Sequence, residues 1–317
     1  RLVSGFPDLK ILECDGTDVV EMYRTAGEAV QYARERKGPA LIHAHCTRPY
    51  SHSMSDDERM SRTEDERAQQ DARCPLKRTR SLLVETGIAS DEELDELEQD
   101  IKERVSEAAD EALEHPQPDA STVLRHLYSE DTDPTSDDYD TEDDPSYEAD
   151  KLLTMVDLLN ACLRDEMERD PRVIVFGEDV ADVSRDEHLE DVKGKGGVFK
   201  VTHGLQKHFG SDRVYNSPLA EANIVGRAIG MALRGLRPVV EIQFFDYIWP
   251  AMHQIRNELA TMRYRSNGTF SAPVVIRVTY GGYLKGGGIY HSQTGETLFT
   301  HCPGLRVVMP ATAEDAN

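Results

Sequence analysis

Residues 129–150 carry eleven Asp and Glu and no Lys or Arg, and this tract decides what the rest of the chain can become. It has almost no apolar side chains, so burial cannot repay a backbone ordering entropy of ~1–2 kcal/mol per residue. The tract is expected to be a disordered linker, with the chain folding as two bodies, residues 1–128 and 151–317. It also holds about half of the formal net charge of −23. The remaining acidity suits a water-facing surface and argues against nucleic acid or an anionic membrane as partner.

Each body alternates strand and helix patterns. Residues 10–14 form an apolar strand, Thr17 or Asp18 can cap a helix running to about Arg36, and PALIHAHC at 39–46 is expected to be a buried strand. Residues 47–62 are polar and form a loop. Helical stretches follow at 65–72, 76–85 and 91–114, the last opened by a capping box of Ser90 and Glu93 with Leu94, Leu97, Ile101 and Val105 along one face. Beyond the tract, helix 155–167 precedes strand 173–176, a short helix at 205–209 and a short strand at 213–215. Further strands are expected at 238–243, 274–279 and 305–309, with helices near 247–265 and from 296. Strands alternating with helices predict an α/β fold with two parallel, doubly wound sheets, both truncated, joined by the linker.

Five cysteines are scattered without CxxC spacing. Neither a zinc site nor a disulfide framework is expected, and reduced thiols in a cytoplasmic setting are the default. No apolar run reaches the ~18 residues of a membrane span. The chain opens at Arg1 in what reads as mid-domain and stops at Asn317 just after a helix begins near Thr312, so it is expected to be a piece of something longer.

The stretch 215–235 (YNSPLAEANIVGRAIGMALRG) concentrates the chemistry. A turn at Asn216-Ser217-Pro218 delivers Glu221 into the first turn of a helix. Ala222, Val225, Gly226, Ile229, Gly230 and Leu233 recur there at three and four residues, predicting a face that presses closely on a sheet. An acid at a helix start is ordinarily worth ~0.3–1 kcal/mol against the dipole. In a dry cleft the same carboxyl rises in pKa and shares a proton. His291 follows the glycine-rich stretch 281–288, where a neutral imidazole can donate or accept near neutral pH. Glu178 and Asp179 end the 173–176 strand, at the edge where doubly wound sheets put ligands. No GxGxxG follows a strand, which argues against nicotinamide binding.

Seven ordered segments resemble the amino-terminal half of the beta subunit of thiamine-diphosphate-dependent 2-oxo acid dehydrogenases, nearest the branched-chain type. They are FGEDV at 176–180, GGVFKVTHGL at 196–205, SPLAEANIVG at 217–226, EIQFFDYIWPA at 241–251, RYRS at 263–266, IYHSQ at 289–293 and HCPGLRVVMP at 301–310. RPYSHSMSDD at 48–57 likewise resembles the active-site loop in the carboxy-terminal part of the alpha subunit.

This resemblance implies a diphosphate-binding domain over 1–128, the linker over 129–150 and a transketolase-like pyrimidine-binding domain over 151–317. It implies that Glu221 activates the cofactor, Tyr247 stacks on its pyrimidine, and Leu219 and Gln243 line that pocket. His291 and His52 act on intermediates and protons, Arg48 steadies the loop, and Ser53 matches a serine phosphorylated in mitochondrial relatives. The implied cofactors are thiamine diphosphate and Mg²⁺. Such enzymes hold the metal with Gly-Asp-Gly and a later Asn, whereas Asp15-Gly16 lacks a preceding glycine and no Asn occurs before Asn160; the metal ligands are expected upstream of Arg1. The implied reaction is oxidative decarboxylation of a 2-oxo acid, with acyl transfer to the lipoyl domain of a dihydrolipoyl acyltransferase core by a homodimer of fused subunits. A pyruvate or acetoin dehydrogenase component and a non-catalytic docking subunit are the alternatives.

Overall fold

The computed structural model describes residues 3–48, 50, 57–133, 135–136, 153–282, 284–311 and 315. Most of the acidic tract, together with His52 and Ser53, lies outside the described residues. The chain forms two compact units, Arg1–Gln117 and Pro118–Asn317. The division falls ahead of the expected one at residue 128 because the segment after Pro118 packs into the second unit. The Tyr128 hydroxyl donates to the Leu305 carbonyl at 3.2 Å and its ring receives the Arg306 guanidinium.

In the first unit, strands β1 (Lys10–Asp15) and β2 (Ala40–His45) pair in parallel, connected by helix α1 (Val19–Arg34). Asp18 caps α1 by accepting from the Val20 and Glu21 amides. PALIHAHC is not the buried strand expected from its apolar residues. β2 alternates, with His43 and His45 exposed, because α1 covers one face of the pair and the other lies open. Helices α2 (Glu64–Ala72), α3 (Pro75–Glu85) and α4 (Asp91–Glu114) follow. The Ser90–Glu93 capping box is made. Arg80 joins α3 to α4 through Asp91 and Asp95 at 2.9 and 2.7 Å. The apolar stripe of α4 stands largely open, with Leu97, Ile101 and Val105 about half or more exposed.

The second unit holds a parallel sheet in the order β4-β3-β5-β6, formed by β3 (Val173–Gly177), β4 (Val214–Asn216), β5 (Arg237–Ile242) and β6 (Val275–Val278). Helix α5 (Met155–Arg169) packs on β3 through Leu163 and Met167. Helix α6 (Leu205–Phe209) leads into β4, and helix α7 (Glu221–Leu233) lies on β5. The buried side of α7 is Ile224, Val225, Ala228, Ile229 and Ala232. Gly230 and Leu233, expected on that side, are exposed, and the buried face instead takes in Ile224, Ala228 and Ala232, each one position before an expected residue. Burying each of Ile224, Val225 and Ile229 contributes ~1.5–3 kcal/mol. Glu241 of β5 is also buried, made tolerable by its ion pair with Arg277 at the facing position of β6.

Two expectations fail on local geometry. The helix near 247–265 is broken into 3₁₀ turns at Phe245–Tyr247 and Trp249–Ala251, a π-helical stretch Gln254–Leu259 and the short helix α8 (Met262–Arg265). Pro250, lacking an amide proton, sits in the second turn. Residues 305–309 are not a strand: with β6 they line an apolar cavity of about 390 Å³ and have no ladder to it. Helix α9 (Glu296–Thr300) closes the unit.

Candidate active site

The site of the second unit gathers at the carboxyl ends of β3 and β5 and the first turn of α7. Gly177 ends β3 where a Cβ would lie 2.5 Å from the Glu241 carbonyl oxygen, so only glycine lets the two strands finish side by side. The chain then turns through Glu178 and Asp179, the latter at a positive φ of 54°. Lys195 pairs with Asp179. The Ser217 amide donates to the Gly177 carbonyl at 2.7 Å, fixing the turn that leads to Glu221 against the end of β3.

The Glu178 and Glu221 carboxyls lie close enough to feel one another's charge. Burial pushes the Glu178 carboxyl above its ordinary range, and the negative charges of Asp179 and Glu221 push it further. Gln243, the first residue after β5, donates its side-chain amide to the Glu178 carbonyl at 3.0 Å. Glu178 and Gln243 thus stand at the strand ends and Glu221 at the helix N-terminus. Leu219, on the turn before Glu221, is 70% exposed and free to meet a ligand.

A second group forms just after β5 in the chain. The Tyr247 hydroxyl lies 3.0 Å from Nε2 of His291, whose Nδ1 lies 3.1 Å from the Gly287 carbonyl. A carbonyl only accepts, so Nδ1 donates to it, while Nε2 meets the tyrosine hydroxyl. Phe244 and Tyr247 meet the imidazole edge-to-face, at ring separations of 4.6 and 5.6 Å. Buried Asp246 accepts from the Ser292 and Gln293 amides at 3.4 and 3.3 Å, tying down the segment that follows His291. Gly295, extended at φ −171°, sets its bare α-carbon against Phe245; a Cβ there would fall 2.4 Å from the Phe245 Cζ.

The residues singled out from sequence therefore separate into three sets. Glu221, Gln243 and Leu219 gather at the strand ends, while Tyr247 and His291 pair through a hydrogen bond that no spacing rule predicts. Arg48 belongs to the first unit, where it is exposed and its carbonyl accepts from Arg62 at 3.3 Å. His52 lies outside the described residues. Sequence reasoning kept Glu178 as a possible strand-end acid and missed Asp246, whose role appears only once its two amide partners are known.

The donor set fits the pyrimidine half of a thiamine cofactor. It offers a carboxylate for a ring nitrogen, a carboxamide, an aromatic face and an exposed aliphatic side chain. Among the described residues, the one cluster with metal-ligating geometry is Glu13, His43 and His45, in the first unit.

Comparison with known proteins gives the same class. Residues 151–317, more than half of the chain, match the family described as transketolase, pyrimidine binding domain, and the chain belongs to that family. Residues 7–121 match the family described as dehydrogenase E1 component. Among individual proteins, the chain is similar to the 2-oxoisovalerate dehydrogenase subunit beta of Bacillus subtilis (strain 168), 47% identical over 165 residues, 52% of this chain and 46% of the relative. It is 48% identical over 164 residues to the pyruvate dehydrogenase E1 component subunit beta of Leifsonia xyli subsp. xyli, covering 52% of this chain and 45% of the relative. The 2-oxoisovalerate dehydrogenase subunit beta 2, mitochondrial, of Arabidopsis thaliana is 45% identical over 170 residues, 53% of this chain and 44% of the relative. The chain spans just under half the length of these curated relatives. No helix among the described residues is long and apolar enough to cross a membrane.

Proposed function

We propose that this chain forms part of the decarboxylating component of a 2-oxo acid dehydrogenase complex. It would take a branched-chain 2-oxo acid and pass the acyl group to the lipoyl domain of a dihydrolipoyl acyltransferase. The observation that carries the reading is Glu221 at the α7 N-terminus, on the turn that the Ser217–Gly177 hydrogen bond fixes against the end of β3. Thiamine diphosphate, when bound, supplies the carbon nucleophile that attacks the 2-oxo group. The work of the chain is to hold and move protons around it. Glu221 offers a carboxylate to the pyrimidine ring, and Glu178 is the nearby acid whose carboxyl pKa burial and neighbouring charge raise. Tyr247 gives an aromatic wall, Leu219 and Gln243 close the pocket, and His291 can take or return a proton where acyl transfer needs one. His52 acts on intermediates and Arg48 steadies its own loop, as the resemblance implies. Magnesium belongs with the diphosphate, and no residue of this chain is assigned as its ligand. The two bodies act as fused subunits, and the working enzyme is a homodimer.

The test is Glu221→Gln in the intact enzyme, with CO₂ release from 2-oxoisovalerate as readout. A loss of at least ~10²-fold in kcat is expected, in the range of general acid–base contributions, with an unchanged far-UV spectrum. Decarboxylation at the wild-type rate would leave the non-catalytic docking alternative in its place. A pyruvate-directed reading has one observation in its favour, the near-equal identity to relatives of both names. Comparing kcat/KM for 2-oxoisovalerate and pyruvate decides between them, with the branched substrate expected to lead.

A further inference from the structure

The open face of β1 and β2 carries a cluster that the proposed chemistry does not use. The strand register sets Glu13 opposite His43 and Asp15 opposite His45. Two-residue periodicity then sends Glu13, His43 and His45 to one side. Cys14 points the other way, where its thiol meets the Met22 sulfur of α1. Glu13 Oε1 lies 2.5 Å from Nε2 of His45 and 3.8 Å from Nδ1 of His43, and the two imidazole centroids are 4.4 Å apart. Ligand atoms from all three side chains fall within 4.8 Å of one another. Tetrahedral zinc at ~2.0–2.2 Å from its ligands needs them about 3.4 Å apart, so small rotamer changes close the set. Because the three α-carbons are fixed by strand pairing, the face is built before any ion arrives.

We propose that Glu13, His43 and His45 form a binding site for a divalent transition metal of the zinc class, with water in the remaining position. A simple ion pair would need only one histidine, yet both imidazoles turn a nitrogen toward the same carboxylate oxygen. Two imidazoles and a carboxylate favour zinc, nickel or copper, whereas magnesium and calcium take oxygen ligands throughout. The site is thus chemically separate from any diphosphate metal. Bound metal would tie β1 to β2 in the unit with the smaller core and stabilise it by linkage.

The experiment is calorimetric titration of Zn²⁺ into the intact protein with Mg²⁺ present, alongside the His43→Ala/His45→Ala double variant and Glu13→Gln. All three side chains are about half or more exposed, and far-UV circular dichroism checks that each variant folds; Glu13→Gln keeps the shape of the side chain it replaces. The expected result is one zinc per chain, an affinity at least tenfold weaker in the double variant, and a weaker site in Glu13→Gln. Cobalt loaded in place of zinc is expected to absorb without thiolate-to-metal charge transfer, which separates this site from the exposed thiol of Cys46. No saturable binding in the wild type, a loss below tenfold in the double variant, or a thiolate charge-transfer band would each overturn the proposal.

Discussion

The two units reach stability by different routes. Among the described residues, the first buries few apolar side chains, Cys14 and Ala29, and leans on polar ties: Asp15 with Arg73 and Arg78, and Arg80 with Asp91 and Asp95. The second packs three apolar clusters around its sheet and keeps charge inside only where it is matched, as in Glu241 with Arg277. Exposed ion pairs contribute little and are screened by salt, whereas apolar burial is larger and is not screened by it. The unit with the deeper core is also the one that can hold carboxyls away from water, so the perturbed acid Glu178 lies there.

The sharpest way to break this contrast is at the core. Phe176 is fully buried and stacks on Tyr215 at 5.2 Å, with Arg227 over its face. Phe176→Ala is expected to cost about 3–5 kcal/mol, read as a lowered urea midpoint, with faster amide exchange confined to the second unit. In the first unit, Ser90→Ala removes the acceptor from the α4 capping box and is expected to cost about 1 kcal/mol, seen as exchange at the start of α4. The smallest effect is in acid. The Thr17 hydroxyl and amide, then Arg78, hold the Asp15 carboxyl well below its usual range. Its contribution is therefore complete above the unfolded value of about 3.9 and is lost as pH falls below it. Glu178 has the opposite sign: its raised value favours the proton-bound fold, so its surroundings weaken as pH rises through and above about 4.3. Asp15→Asn should flatten the acid side of the unfolding midpoint against pH, and Glu178→Gln the rising side.

Sequence made the regular elements legible because their signals are local. The Ser90–Glu93 box and the Val173–Gly177 and Arg237–Ile242 strands follow from residues a few positions apart. Glu221 could be singled out because a turn and a helix start leave their mark in one decapeptide. What stayed hidden depends on which elements become neighbours. The Tyr247–His291 bond spans 44 positions, and Asp246 meets amides 46 and 47 residues away. The Glu13–His43–His45 face was overlooked because cysteine spacing is read along one chain segment, whereas these ligands meet only through strand register. Residues 305–309 have a strand's composition, but with β6 they border a cavity instead of pairing with it.

Gly295 carries no functional group, yet its missing methyl reaches the candidate site. Any side chain at that position would displace the Phe245 ring, and Phe245 begins the turn that also carries Asp246 and Tyr247. Those two residues hold the imidazole of His291 and the backbone after it. One hydrogen atom on an α-carbon therefore sets the spacing between two turns, and a neutral-looking alanine there would be felt first as a misaimed histidine.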